Sequence, residues 1–174
     1  MATLTQHIDK EMVYALLQAV PDPEIPVVSI QELGILREIN IDGGRVEVII
    51  TPTYSGCPAM QTIAQDICSA LQRAGITEVK VNTVLSPPWS SGWITIAGRD
   101  KLRAYGIAPP QAANSAAGQA LRFMRMPAAP KSSPACPLCG STHTELLSEF
   151  GSTSCKALYR CLACREPFDY FKPY

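Results

Sequence analysis

The chain has 174 residues and a mass of 18.8 kDa, which suits one ordinary domain or a small domain with a smaller module, and excludes a large multidomain enzyme. Lys and Arg number 15, Asp and Glu number 15, and 47% of the residues are hydrophobic against 17% charged. This balance excludes a disordered chain and a strongly basic nucleic-acid binder, so any partner must be recognised by a local site.

The first predicted element is an amphipathic helix near the N terminus. Thr5 is its predicted N-cap, and Pro21 ends it. Its apolar stripe recurs every three or four positions and consists of Ile8, Met12, Leu16 and Ala19.

A mixed sheet is predicted next. Apolar and polar residues alternate from Ile35 to Ile41 and from Val46 to Ile50, on either side of Asp42-Gly43-Gly44, which is typical of an antiparallel hairpin. A second helix, with Pro58 in its first turn and Gly75 at its end, separates this hairpin from a third strand at Val79 to Val84. A right-handed crossover then makes strands two and three parallel.

A third helix is predicted from about Ser91 to Tyr105, with Gly106 as its cap. The predicted fold class is therefore α+β, a small mixed three-stranded sheet with packed helices. It is followed by a C-terminal module whose two Cys-x-x-Cys pairs, Cys136/Cys139 and Cys161/Cys164, resemble those of a zinc ribbon.

Composition divides the chain into three predicted parts. Residues 1–107 form the α+β domain, residues 108–135 form a linker rich in Pro and Ala, and residues 136–174 form the cysteine-rich module. Whether the segment from Ser115 to Met126 forms a short helix is left open.

The seven cysteines favour metal or thiol chemistry over disulfides. No apolar run reaches the roughly 18 residues needed to span a bilayer, and the N terminus lacks the layout of a signal peptide. The sequence therefore predicts a cytoplasmic protein with no membrane partner, and disulfide frameworks are rare in that reducing compartment.

Two Cys-x-x-Cys pairs in the C-terminal module predict one metal site. Cys136 and Cys139 are separated from Cys161 and Cys164 by 21 intervening residues, which is close to the spacing of a structural zinc site with four thiolates. So short a module would scarcely fold without such a staple. Four thiolates also suit iron or an iron–sulfur centre, and zinc is the preferred prediction because closed ribbons of this kind commonly hold it.

Two further side chains near this site are alternative ligands. Cys155 could replace one of the four thiolates, although a buried packing role is favoured because the four-coordinate site is already complete. His143 is a spare nitrogen ligand, favoured as a solvated loop residue.

Cys57 lies at a strand-to-helix turn, in the segment Thr51-Pro-Thr-Tyr-Ser-Gly-Cys-Pro58. A helix N terminus favours a thiolate, which could be a nucleophile or a soft metal ligand; a half-buried turn residue is the alternative. Asp22 and Glu24 lie in a loop held by Pro23 and Pro26, which is either an ordinary turn or a rigid acidic site that meets a metal or a cation.

These segments, together with Leu33-Gly-Ile35, Pro87-Pro-Trp89 and Tyr105-Gly-Ile-Ala-Pro-Pro110, resemble the MIP18 (DUF59) family over about residues 6–110. The resemblance implies a role in iron–sulfur cluster assembly or delivery, with Cys57, Asp22 and Glu24 as candidates for iron or cluster transfer. The C-terminal ribbon, including Phe150 to Cys161, narrows the resemblance to the D-subunit family of the bacterial phenylacetyl-CoA 1,2-epoxidase system.

That family resemblance implies an accessory subunit for the breakdown of phenylacetate, which helps to mature the oxygenase and reductase subunits with iron or iron–sulfur clusters. Its implied cofactors are structural zinc and a transient iron or cluster, and its implied partners are the other epoxidase subunits and iron–sulfur assembly proteins; a homodimer is left open.

The absence of cofactor motifs agrees with this accessory role. The sequence contains no glycine motif for a flavin or dinucleotide and no Glu-x-x-His pattern for a di-iron site, which favours a chain that is not an enzyme. The alternative function is a structural adaptor that docks the reductase to the oxygenase.

Overall fold

The computed structural model describes residues 8–111 and 133–174, which form two compact units that divide between Lys101 and Leu102. The described helices are α1 (Lys10–Leu17), α2 (Met60–Arg73) and α3 (Ile96–Ala104). The described strands are β1 (Leu36–Asp42), β2 (Arg45–Ile50), β3 (Val79–Thr83), β4 (Ile107–Ala108), β5 (Thr144–Ser148), β6 (Lys156–Cys161) and β7 (Pro167–Phe171).

Helix α1 differs from its prediction in both its start and its buried face. Asp9 is the N-cap, and its side chain accepts a hydrogen bond from the Met12 amide at 2.8 Å. The predicted cap, Thr5, lies outside the described residues. The buried positions are Val13 and Leu17, one residue after the predicted stripe, because α1 packs against α2 and β1 with that face.

The first sheet confirms the predicted topology, with β2 in the centre, antiparallel to β1 and parallel to β3. Gly43 and Gly44 form the hairpin turn with φ of 55° and 97°, which glycine adopts without the steric cost of a Cβ. The inward side chains of β1 and β2 and the stripe of α2 are fully buried: Ile39, Val46, Val48, Ile50, Ile63, Ile67 and Leu71. Helix α2 begins at Met60, two residues after the predicted Pro58.

The predicted third helix is interrupted. A 3₁₀ turn at Ser91–Trp93 precedes α3, and the chain between them is extended at Ile94. Thr95 restarts the helix, because its hydroxyl accepts from the Gly98 amide at 3.0 Å and its carbonyl accepts from the Arg99 amide at 3.0 Å.

The turn from Ser29 to Gly34 holds the segment from Trp89 to Thr95 in place. The indole of Trp89 donates to the Leu33 carbonyl at 2.9 Å, and the Thr95 amide donates to the Glu32 carbonyl at 2.9 Å. A Cβ added at Gly34 would lie 2.6 Å from the Trp93 Cβ, and Gly34 has φ of 71°. The turn and the segment that contains Trp93 therefore approach each other too closely for any residue but glycine at position 34.

Gly34→Ala is accordingly expected to destabilise the first unit by about 2–5 kcal/mol, from backbone strain and overpacking against Trp93 combined. Gly43→Ala is the matched control, because Gly43 also has positive φ but has open space around the position of its Cβ. It should cost only about 1 kcal/mol. Urea unfolding of the full chain measures both; equal costs would show that the contact with Trp93 is not limiting.

The second unit contains a four-stranded sheet in the order β4-β7-β6-β5. Strands β5, β6 and β7 are successively antiparallel, and β4 runs parallel to β7. Ala108, the first residue of the predicted linker, thus lies in a strand. Most of that linker, including the segment from Ser115 to Met126, falls outside the described residues, and the domain boundaries remain a prediction.

No helix within residues 8–111 and 133–174 is both long enough and apolar enough to cross a membrane.

Candidate metal centre and the Cys57 loop

The four predicted cysteine ligands meet at one end of the ribbon. The sulfurs of Cys136, Cys139, Cys161 and Cys164 all lie within 4.8 Å of one another. The Sγ atoms of Cys136 and Cys164 are 3.8 Å apart, and those of Cys139 and Cys161 are 3.5 Å apart. Sulfurs at the corners of a tetrahedron around zinc, each about 2.3 Å from the ion, are about 3.8 Å apart. The donor set and its spacing therefore fit a structural zinc ion.

Each cysteine pair sits in the same kind of turn. The amide of Cys136 donates to the Ser141 carbonyl at 2.9 Å, and the amide of Cys161 donates to the Glu166 carbonyl at 3.0 Å. The residue after the second cysteine has positive φ in both turns, 75° at Gly140 and 70° at Arg165. Arg165 is the one described residue other than glycine with positive φ, so this turn holds it in a conformation that costs free energy.

Arg165→Gly is expected to tighten metal binding, because glycine adopts this conformation without steric cost. A gain of about 1 kcal/mol corresponds to about a fivefold lower metal dissociation constant. Competition with a chelator measures the change. Arg165→Ala removes the same side chain but keeps the Cβ, so it should leave the constant nearly unchanged; an equal gain in both variants would contradict the backbone explanation.

The four thiols are not equivalent electrostatically. Hydrogen bonds from the backbone amides of Cys164 and Ala163 lower the pKa of Cys161 to about 6. A hydrogen bond from the Glu166 amide lowers the pKa of Cys164. Burial and the adjacent Cys161 thiol raise it by more, so the pKa of Cys164 is about 12. Cys161 therefore favours the thiolate that metal binding needs, and a divalent cation displaces the remaining protons when it binds.

Neither alternative ligand joins this group. Cys155 precedes the first residue of β6, and Cys161 is the last residue of that strand. At the usual rise per residue of a strand, the two cysteines are about 20 Å apart. Its thiol is buried, and the hydroxyl of Thr153 is 3.0 Å from its sulfur, as expected of a packing cysteine. His143 is exposed, and its carbonyl accepts from the Leu162 amide at 2.8 Å.

Cys57 lies in a turn between β2 and α2, where its amide donates to the Tyr54 carbonyl at 3.1 Å. Its side chain is half-buried, and Gly56 and Pro58 on either side are exposed. Ala59 is the N-cap of α2 and supplies no side-chain hydrogen bond to the helix. The helix therefore presents its N-terminal amides close in sequence to the Cys57 thiol.

The acidic loop is ordered by its own carboxylate. One oxygen of Asp22, which is buried, accepts from the amides of Glu24 and Ile25 at 2.9 Å each. Asp22 therefore shapes the turn, and Glu24 is half-buried. In the described part of the chain, Cys57, Asp22 and Glu24 do not form a second group of three ligands close enough to share one ion. Their role in transfer remains a prediction.

Two features of these regions carried no signal in the sequence. Thr51 opens the Cys57 segment, and its buried hydroxyl has no hydrogen-bond partner among the described residues. Lys156 is buried in the ribbon beside Asp169, with 3.8 Å between the ammonium and a carboxylate oxygen. Neither residue belongs to a recognisable motif, and only packing places them in the interior.

Comparisons with known proteins assign each unit separately. Residues 10–85 match an iron-sulfur cluster assembly protein family, and residues 124–172 match the PaaD zinc beta ribbon domain. The first match includes the Cys57 loop, and the second includes all four cysteines of the metal centre.

The chain is 47% identical to the D subunit of the putative 1,2-phenylacetyl-CoA epoxidase of Escherichia coli, over 92% of this chain and 90% of that protein. It is 34% identical to the Fe-S protein maturation auxiliary factor YitW of Bacillus subtilis, over 55% of this chain and 87% of that protein.

A crystal structure of a DUF59 domain from Bacillus anthracis aligns with a TM-score of 0.51 at 31% identity, over 53% of this chain and 90% of that one. The α+β fold of the first unit, the ribbon with its four thiolates and the similarity along nearly the full length agree, and the chain belongs to the D-subunit family of the phenylacetyl-CoA epoxidases, in which a DUF59 domain precedes a zinc ribbon.

Proposed function

We propose that this chain is an accessory protein without catalytic activity of its own, which helps to supply iron or iron–sulfur clusters to the oxygenase or reductase subunits of a phenylacetyl-CoA epoxidase. The observation that carries the proposal is the Cys57 loop, which places a half-buried thiol two residues before the N-cap of α2, within the residues that match the iron–sulfur assembly family.

The chemistry of a transfer ligand fits this loop. A cluster is held by several cysteine thiolates, and one thiolate on a carrier leaves the other positions to a client or a donor protein. Exposed Gly56 and Pro58 on either side of Cys57 allow another chain to approach the sulfur. Amides at the start of α2 stabilise negative charge, which favours both the thiolate and an anionic cluster.

The ribbon metal has a different role. Its four sulfurs complete a closed four-coordinate site, and Cys136 and Cys161 are buried. A closed site of this kind stabilises a small module and leaves no open position for exchange. We therefore assign zinc in the ribbon to folding, and delivery to the first unit.

The adaptor function is the second candidate, and the exposed side chain of Leu138 favours it. This leucine lies between Cys136 and Cys139 with 59% of its surface accessible, so a metal-stapled turn presents an apolar side chain outward. Such a side chain suits docking to another subunit.

The two functions are separated by producing the oxygenase and reductase subunits with and without this chain, then measuring iron and acid-labile sulfide in each purified subunit. A maturation factor should be required for full iron content. An adaptor should leave the iron content normal and lower only the coupled turnover of the reassembled subunits, and that result would contradict the proposal.

A further inference from the structure

The four ligand cysteines of the ribbon differ in their exposure to solvent. Cys136 and Cys161 are buried, Cys164 is half-buried, and Cys139 is exposed. The structure describes all seven cysteines of the chain, and Cys139 alone among them is exposed. The cysteine that a reagent in solution meets first is therefore a ligand of the metal centre.

The turn around Cys139 leaves space for a small molecule. Leu138 and Gly140, the residues on either side, are also exposed. A Cβ added at Gly140 would meet no atom within 4 Å, so the volume beside this end of the turn is open. A small reagent can therefore approach Cys139 from solvent without displacing a packed side chain.

A second sulfur lies next to that of Cys139. The Sγ atoms of Cys139 and Cys161 are 3.5 Å apart, and the Cys164 amide donates to the Cys161 sulfur at 3.5 Å, which holds it in place. A disulfide bond is about 2.05 Å long, so the two sulfurs need to approach each other by only about 1.5 Å. The Sγ atoms of Cys136 and Cys164 are 3.8 Å apart, but that pair contains no exposed residue.

Metal coordination does not protect an exposed sulfur from oxidation. A coordinated thiol is deprotonated, and the thiolate is the form that reacts with oxidants. A closed four-coordinate site has no position for a further ligand at the metal, whereas an oxidant attacks the sulfur itself and needs no such position. The exposure of each sulfur therefore decides which of the four ligands is oxidised first.

From this arrangement we infer that Cys139 is a site of reversible oxidation, at which hydrogen peroxide forms a disulfide between Cys139 and Cys161 and releases the ribbon metal. The Cys139 sulfur attacks one oxygen of the peroxide, the O–O bond breaks, and a sulfenic acid forms as hydroxide leaves. The Cys161 thiolate then attacks the Cys139 sulfur, the S–O bond breaks, and a second hydroxide leaves. The two thiolates together lose two electrons, which reduce one peroxide to two hydroxide ions.

The disulfide replaces the metal as the link between the two cysteine turns. It removes two of the four ligands, so the metal is released. Cys139 belongs to the first turn and Cys161 to the second, and a covalent bond between them restricts the unfolding of the metal-free ribbon. Reduction of the bond can then restore the site. The inference concerns the ribbon and does not depend on the proposed role in maturation.

The first experiment treats the zinc-loaded full chain with hydrogen peroxide. Released zinc is followed with a metal-sensitive dye, and disulfides are mapped by mass spectrometry after the remaining thiols are blocked. One zinc ion should be released for each disulfide formed between Cys139 and Cys161. A dithiol reductant, followed by zinc, should restore stoichiometric metal.

The second experiment compares two variants that each keep four ligands. Cys139→His removes the exposed thiol, and three cysteines with one histidine are an ordinary ligand set for structural zinc, so zinc should stay bound. Its release by peroxide should be at least about tenfold slower than from the unsubstituted chain. Cys164→His is the matched control, because it has the same ligand composition but keeps Cys139 beside Cys161. It should release zinc nearly as fast as the unsubstituted chain.

A ribbon that keeps its zinc in peroxide would overturn the inference, and so would a first disulfide between any other pair of cysteines. Oxidation of Cys139 that a dithiol cannot reverse would show damage instead of a reversible site. Equal rates of zinc release from the two histidine variants would show that Cys139 is not the residue attacked first. If Cys139→His failed to bind zinc, the disulfide mapped in the unsubstituted chain would decide the question by itself.

Discussion

Cys161→Ser is expected to abolish stoichiometric metal binding and to unfold the ribbon. Cys161 is fully buried, and its sulfur is 3.5 Å from that of Cys139, within the ligand group. Structural zinc contributes about 10–16 kcal/mol of apparent binding free energy in small zinc modules, which exceeds the stability that so few apolar residues can supply alone. A serine hydroxyl is a poor substitute for a thiolate, so most of this free energy should be lost.

Metal analysis and amide hydrogen exchange on the full chain measure the two effects. Cys155→Ala is the matched control, because it removes a buried ribbon thiol outside the ligand group and should keep the metal. The first unit should remain folded in the Cys161 variant, since it has its own core of buried aliphatic side chains. A ribbon that keeps its amide protection after loss of the metal would contradict the conclusion that the metal stabilises the folded ribbon.

Cys57→Ser is expected to fold normally and to fail in delivery. The substitution changes one atom in a turn, and the Cys57 amide still donates to the Tyr54 carbonyl, so stability should change by less than about 1 kcal/mol. Serine cannot supply a soft thiolate, so the iron and labile sulfide of a client subunit produced with this variant should fall to the level seen without the chain.

Cys68→Ser is the matched control for this experiment. Cys68 is also a half-buried free thiol of the first unit, but it lies within α2 and away from the loop. Its variant should mature the client like the unsubstituted chain. A client with normal iron content in the Cys57→Ser background would remove Cys57 from delivery and favour the adaptor function.

The features that the sequence predicted correctly depend on interactions between near neighbours in the chain. The Gly43-Gly44 turn specifies a hairpin, and the stripe Ile63, Ile67 and Leu71 specifies the buried face of α2. Each Cys-x-x-Cys turn holds its own two thiols close together, and the spacing of the two pairs correctly indicated that all four cysteines form one group. The parallel pairing of β2 and β3 follows from the handedness of the crossover between them.

Other features were decided only by packing between distant segments. Helix α1 buries the face that carries Val13 and Leu17, because α2 and β1 pack against that face. The apolar periodicity of the sequence alone fits a neighbouring face of the helix equally well. The extended conformation of Ile94 interrupts the predicted third helix, and hydrogen bonding at Thr95 restarts it. Strand β4 joins the ribbon sheet, although its two residues are too few to show a pattern in the sequence.

The length of β6 separates Cys155 from the metal centre, and Arg165 has positive φ in the turn that the Cys161 amide closes with the Glu166 carbonyl. The local sequence thus determined which elements form and which cysteines pair. The buried face of each helix, the ends of the elements and the backbone strain at single residues depend on contacts between residues far apart in the chain, which leave no local pattern in the sequence.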